Sequence, residues 1–346
     1  MYAGKPEHIK LNNEALIRGA LLARREITTA DIVAETGLSQ TTVGQIIDQM
    51  RRSGIVREAG KRASRLGRPA SAWLLDQEAW TSVAIAVENG GLVWGVANAL
   101  GEMRDQGSRS VSGDPIDSAL GLAAELVGAE PARDGAPRLA LALGVPGAVK
   151  EGKLITGEFS GDWADVDLAD LFAKRIEAPV VVENDLNAIA LGYAKSAESD
   201  AEERDSLAYI HFNGGACIGS GLVLGGRIIR GASSFSGELG FLPMGGGKIL
   251  DDVIVEVERD DERYAEAICR VLQTVNCVVN PALIALGGRG FRFELEGAIR
   301  ARFEASADEL VRPCLAFVPQ SLPYYLSGLS GLAAERIFPD VLIARR

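Results

Sequence analysis

Two short segments of this 346-residue chain carry side chains that could grip and deprotonate a hydroxyl. They are Glu183-Asn184-Asp185 and, about fifty residues on, Glu238 within Gly237-Glu238-Leu239-Gly240. A carboxylate beside an amide offers acceptors and donors to neighbouring hydroxyls of a polyol, so Asn184, Asp185 and Glu238 are candidate ligand-binding residues. A plainer role competes: Leu186–Ala194 reads as a helix, and aspartate is a favoured N-cap. Capping does not exclude ligand contact.

These residues need strands to hold them. Leu139–Gly144 reads as a buried strand running into Val145-Pro146-Gly147-Ala148-Val149, and Pro179–Val182 as another that ends in Glu183-Asn184-Asp185. Earlier, Ser82–Val87, Leu92–Asn98 and a short strand near Met103 form an antiparallel meander, turning at Glu88-Asn89-Gly90-Gly91. The design recurs at Ser206–Phe212, Ile218–Leu224 and Arg227–Ile229, with turns at Asn213-Gly214-Gly215 and Gly225-Gly226. Two such copies, each followed by helices and further strands, predict an internally duplicated two-lobed α/β domain. A ligand at the carboxyl ends of its strands would lie in the cleft between the lobes.

The first quarter of the chain is built differently. Thr28 or Thr29 caps a short helix containing Ile32 and Val33, Gly37 supplies a turn, and Ser39 caps a second helix. Val43, Ile46, Ile47 and Met50 give that second helix a buried stripe. Its outer face carries Gln40, Thr41, Thr42, Gln45 and Arg51, which with Ser39 can bond bases or phosphates. A basic hairpin follows, with Arg57, Lys61, Arg62, Arg65 and Arg68, and Gly67-Arg68-Pro69 at its tip suits insertion of an arginine into a minor groove. This is the order of a winged helix-turn-helix, and it makes double-stranded DNA the leading partner. Residues 1–75 hold 12 Lys or Arg against 7 Asp or Glu, a net +5, so the remainder of the -11 chain carries -16. A basic module on an acidic body is the footprint expected of a DNA reader.

Length and composition set the frame. The division expected is a DNA-binding unit over residues 1–76 and a two-lobed α/β unit over 77–346, its lobes meeting near 195/196. No apolar run reaches the roughly 20 residues of a membrane span, and no signal-peptide core opens the chain, so a cytoplasmic location is expected. Cys217, Cys269, Cys277 and Cys314 are scattered and indicate neither a disulfide scaffold nor a cysteine zinc site.

With these motifs in view the chain resembles the ROK family, which groups sugar-responsive bacterial repressors with sugar kinases of the actin-like fold. The resemblance rests on Gly67–Pro69, Gly144–Val149, Val182–Ala194, Ile218–Gly240, Ala285–Gly288 and Leu326–Ala334. It implies a winged helix-turn-helix followed by a duplicated actin-like (ribonuclease H-like) domain, with Gly147 joining the sugar site. In the family's kinases the residue matching Asp185 would be the base; in its repressors the same group would bind the sugar.

Three departures bear on function. The first hairpin turn has Glu88 and no threonine where kinases of the family hold magnesium and phosphates, and Gly214–Gly219 also lacks a threonine. Phosphoryl transfer depends on positioned charge, so ATP use and any cofactor are not expected. Phe241 replaces a histidine that would help hold zinc, and no metal is expected. Phe159 replaces an asparagine, so Phe159 and Phe241 are expected to stack on the ligand or narrow its pocket. The reading is a DNA-binding regulator, a repressor by the commoner family pattern, working as a homodimer or homotetramer with a sugar or sugar-derived effector. The alternatives are a sugar kinase with an accessory DNA-binding unit and a regulator whose effector pocket is defunct.

Overall fold

The computed structural model describes residues 6–62, 70–88, 90–130, 138–155, 163, 166–196, 205–214, 217–306 and 308–337. Arg65, Arg68 and Phe159, with the hairpin tip Gly67–Pro69, lie outside the described residues.

The chain opens with α1 (Pro6–Arg24), β1 (Ile27–Thr28), α2 (Thr29–Thr36), α3 (Gln40–Arg52), β2 (Val56–Arg62) and β3 (Ala70–Leu75), the element order of a winged helix. Thr28 caps α2 reciprocally: its hydroxyl accepts from the Asp31 amide at 3.2 Å, while the Asp31 carboxylate returns to Thr28. Gly37, with φ 69°, closes α2 in the left-handed region that favours glycine. Ser39 caps α3 by accepting from the Thr42 amide at 3.1 Å. Val43, Ile46, Ile47 and Met50 are buried as their spacing requires. The sheet order β1-β3-β2 backs the helices, and the Trp73 indole donates to Thr29 Oγ1 at 2.9 Å.

The first lobe comprises β4 (Thr81–Glu88), β5 (Gly91–Ala97), β6 (Met103–Ser110), α4 (Pro115–Ala129), β7 (Leu139–Val145), the ribbon β8 (Val149–Lys150) and β9 (Lys153–Leu154), α5 (Leu168–Ile176) and β10 (Val180–Asn184). After α6 (Asp185–Ala194) the second lobe follows with β11 (Ser206–Phe212), β12 (Ile218–Leu224), β13 (Arg227–Ile228), the ribbon β14 (Pro243–Gly245) and β15 (Lys248–Ile249), α7 (Leu250–Val257) and α8 (Asp261–Val278). It ends with β16 (Leu283–Gly287), α9 (Glu296–Ser306), β17 (Cys314–Val318) and α10 (Leu322–Ile337). The sheets run β10-β7-β4-β5-β6 and β13-β12-β11-β16-β17. In each, three antiparallel strands are extended by two parallel ones, and the strand order is the same. The predicted duplication is therefore a property of the topology.

α6 and α10 fill the space between the sheets. Small residues from both lobes (Ala84, Ala142, Ala285) meet Ala188, Leu191, Tyr325 and Leu329 there in one buried cluster. The helices cross at glycines: a methyl on Gly192 would overlap the Tyr324 carbonyl, and one on Gly328 the Ala188 carbonyl. The winged-helix core is continuous with the body, because Ala79, Trp80 and Ala99 join Ile17, Ile32 and Ile47, and Ala334 and Ile337 of α10 pack against the same cluster. Arg25 pairs with Glu102 at 3.0 Å, and the Arg138 guanidinium donates to the carbonyls of Ser53 and Gly54 at the end of α3.

Overpacking a close backbone crossing cannot be relieved by a rotamer change, so Gly328→Ala is expected to cost about 3 kcal/mol. Thermal unfolding of the variant checks this; an unchanged midpoint would show that the helices can part without penalty.

Candidate functional site

Asn184 ends β10 with extended backbone, and its side chain performs the capping that the sequence assigned to Asp185. Asn184 Oδ1 accepts from the Asn187 amide at 3.0 Å, so Asn184 is the N-cap of α6 and Asp185 its first residue. The Asn184 amide donates to the Gly147 carbonyl at 3.0 Å and to Asp185 Oδ1 at 2.8 Å, and Asp185 Oδ1 also accepts from the Leu186 amide at 2.9 Å. Asn184 and Gly147 thereby aim Asp185, and the capping role no longer competes for its carboxylate.

Glu183 has the opposite fate. It is 3% exposed and satisfied by the Asn184 backbone N–H (3.0 Å), Asn187 Nδ2 (2.9 Å) and the Arg230 guanidinium (3.1 Å from Nε). This pair ties β10 of one lobe to the loop after β13 of the other. Removing one partner of such a buried pair leaves an uncompensated charge.

Asp185 opens into a cleft of 390 Å³ whose lining includes Glu88, His211, Arg289, Ser321 and Tyr325. Burial pushes its carboxyl up to about 7, and the nearby Glu238 and Glu88 carboxylates push the same way. Glu238 is also raised, by burial and then by Asp251. Gly237 permits this approach, since its φ is 94° and a side chain there would strike the Ser220 carbonyl. Among the described residues, neither Asp185 nor Glu238 has a cationic partner, and no three His, Cys, Asp or Glu side chains converge to hold a metal. His211 is driven down to about 4 by burial and by Arg289. A larger cavity of 710 Å³ lies along Lys150, Asp170 and Arg230, but it lacks Asp185, and Arg230 there is committed to Glu183.

Of the sequence candidates for ligand contact, Asp185 alone among the described residues lines the 390 Å³ cavity. Phe241 is 58% exposed, meets the ring of Phe235 at 5.4 Å and does not line that cavity. The reason is local: the short turn Leu239–Phe241 packs Leu239 toward the core and buries Gly240 against Asp251, which leaves Phe241 pointing outward. On the winged helix, Gln40, Thr41 and Gln45 are exposed on one face of α3. The Ser39 and Thr42 hydroxyls lie 2.8 Å apart and serve the cap, while Arg51 and Arg52 both pair with Asp48.

Sequence reasoning passed over His211 and Tyr325. The duplication could have flagged His211, which lies one residue before the end of β11 while Glu88 ends the matching β4; Tyr325 has no comparable signal, being one aromatic in an apolar helix.

Two lobes of identical strand order, with a carboxylate at a strand end between them, define a two-lobed actin-like α/β protein. Residues 85–256 match the ROK family model, and the chain belongs to that family. A xylose repressor of Bacillus subtilis (strain 168) is 25% identical over 240 residues, covering 68% of this chain and 61% of that one, so the chain spans about three-fifths of the repressor's length. A ROK family transcriptional regulator, described as a homologue of the Escherichia coli Mlc protein, superposes with TM-score 0.75 at 17% identity over 96% of this chain and 98% of its own. A ROK hexokinase from Thermus thermophilus superposes with TM-score 0.59 at 19% identity, covering 74% of this chain and 99% of its own. Among the described residues no helix is long and apolar enough to cross a membrane.

The position of Asp185 has a stability consequence. Its folded form holds a proton up to about pH 7, whereas the unfolded side chain ionises near about 4. Between those values the native state binds more protons, so its stabilising contribution is complete at low pH and is lost as pH rises through about 7. The wild-type unfolding midpoint is expected to fall from pH 5 to 8, with Glu238 adding in the same direction. Asp185→Asn cannot ionise and should be the more stable protein at pH 8, by at most roughly 4 kcal/mol. Parallel pH profiles for the two proteins would refute this.

Proposed function

We propose that the chain is a sugar-responsive transcriptional repressor, in which the winged helix over residues 1–76 binds operator DNA and the cleft of residues 77–346 binds the effector. The observation that carries this reading is α10. Its first turn, with Leu322 and Tyr325, lines the cleft, while Ala334 and Ile337 at its far end pack on the winged-helix core. One rigid element thus touches both proposed sites.

The xylose repressors among its relatives make xylose the first sugar to test. A cleft holding unpaired carboxylates beside hydroxyl and amide groups suits an uncharged polyol better than an anion. Two copies would bring two winged helices to two half-sites, so the operator should be pseudo-palindromic. The exposed face of α3 supplies Gln40, Thr41 and Gln45 for base edges, with Arg51 for phosphate. Effector lowers DNA affinity only to the extent that it binds the free conformation more tightly.

A kinase reading draws on the hexokinase likeness and on Asp185, whose pKa of about 7 suits a general base. Against it stand Glu88 and the missing threonines of the turns. Transfer of phosphate from ATP–magnesium to xylose or glucose would decide for the kinase.

The experiment is selection of bound duplexes from a random library, then anisotropy titration of the enriched duplex with and without D-xylose and D-glucose. Enrichment of an inverted repeat whose binding weakens with sugar is expected; absence of any enriched sequence would end the DNA-binding reading. Arg51→Ala should weaken binding across sequences and reduce the salt slope by about 1. Asp48→Asn should tighten DNA binding, because it releases Arg51 and Arg52 from their acidic partner. Weaker binding in Asp48→Asn would show that the pairing positions the arginines instead.

A further inference from the structure

Asp185 stands between two groups of ligand-capable residues. On one side are Asn184, Gly147 and Glu238, none of which lines the 390 Å³ cavity. On the other is the cavity itself, where two polar atoms are buried without a hydrogen-bond partner among the described residues: His211 Nδ1 and Tyr325 Oη. Buried polar groups are ordinarily satisfied, so each open one calls for a partner, and the cavity beside His211 and Tyr325 can hold a ligand that supplies it. Asn213, Gln320 and Ser321 add donors and acceptors on the same wall, while Val87, Ile189 and Leu322 add apolar surface.

The charge of the wall selects among ligands. Glu88 and Asp185 face a single cation, Arg289, and the His211 ring stays neutral at physiological pH. A nucleotide phosphate without magnesium would set its charge beside Glu88, with Arg289 as the one cation among the described lining residues. A sugar ring has the matching character, with an apolar face and a rim of neutral hydroxyls that each donate and accept. The volume also lies within the range typical of small-ligand sites, about 300–1,000 Å³.

We infer that this cavity is a second sugar subsite, so that the effector is an uncharged disaccharide: one residue meets Asn184, Asp185 and Glu238, and the other meets His211 and Tyr325. The inference rests on the proposal that the cleft takes a sugar, and it assigns to sugar the space that a kinase would give to nucleotide.

The test is isothermal titration of the full chain with D-xylose against xylobiose, D-glucose against cellobiose, and ATP with magnesium. One disaccharide should bind about tenfold or more tightly than its monosaccharide. His211→Leu should bring that ratio to about one. Tyr325→Phe keeps the ring and removes only the hydroxyl; it should lower the ratio too, which guards against a His211→Leu protein that folds poorly. A monosaccharide that binds as tightly as its disaccharide, or a ratio unmoved by both substitutions, overturns the subsite alone. Tight ATP–magnesium binding weakened by His211→Leu overturns it in favour of a nucleotide site. Failure of all four sugars to bind overturns the sensor reading together with it.

Discussion

The crossing of α6 and α10 is the constraint on which the rest of the architecture depends. Each helix follows one lobe in sequence and packs on the sheet of the other: α6 leaves β10 and lies on β11 and β12, whereas α10 leaves β17 and lies on β4 and β7. The lobes therefore hold each other through an exchange of helices. The exchange works only if the two backbones nearly touch, which Gly192 and Gly328 allow and no larger residue does. Close-packed interiors transmit displacement because they cannot absorb it. With Asp185 starting α6 and Tyr325 in the first turn of α10, the geometry of the cleft is set at the same crossing.

A second constraint is electrostatic. The chain places Glu88, Asp185 and Glu238 near one another with burial and mutual repulsion raising Asp185, an arrangement that lowers stability at neutral pH. Nearby, Glu183 shows the alternative: a buried carboxylate surrounded by amide donors and an arginine. Two carboxylates that flank Asn184, one in β10 and one at the start of α6, are thus handled in opposite ways. Strain of this kind persists where a ligand relieves it, and its confinement to the cleft is consistent with a binding role for Asp185.

Much of the fold was legible in the sequence because period and punctuation agreed. Alternating apolar runs interrupted by glycine pairs marked both meanders, and the buried stripe from Val43 to Met50 with Ser39 ahead of it marked α3. The site was legible in part. Asp185 and Glu238 could be chosen because carboxylates beside glycines and amides are unusual, but the cap at Asn184 could not be separated from one at Asp185, since both residue types cap well. The facing of Phe241 was not legible for a different reason: two or three residues decide which way a short turn faces, and no periodicity records it. His211, Tyr325 and Arg230 enter only through contacts between segments far apart in the chain, which one sequence does not display.

The docking of the winged helix restricts how a cleft could communicate with DNA. Ala99, Glu102 and Arg138 belong to the first lobe, and all three touch the winged helix, as does the far end of α10, which lies on that lobe's sheet. The winged helix therefore travels with the first lobe. Closure of the second lobe onto a ligand would not by itself reorient α3 within one chain, because nothing between α3 and the first lobe need change. If two chains pair and read DNA as proposed, an effector could alter the spacing of their winged helices only where the contact between chains involves the second lobe, so that closure rotates one first lobe relative to its counterpart. A dimer joined through its first lobes alone would leave the heads fixed, and the differential affinity that linkage demands would be absent. The geometry of one chain thus narrows where the partner of a responsive dimer must bind.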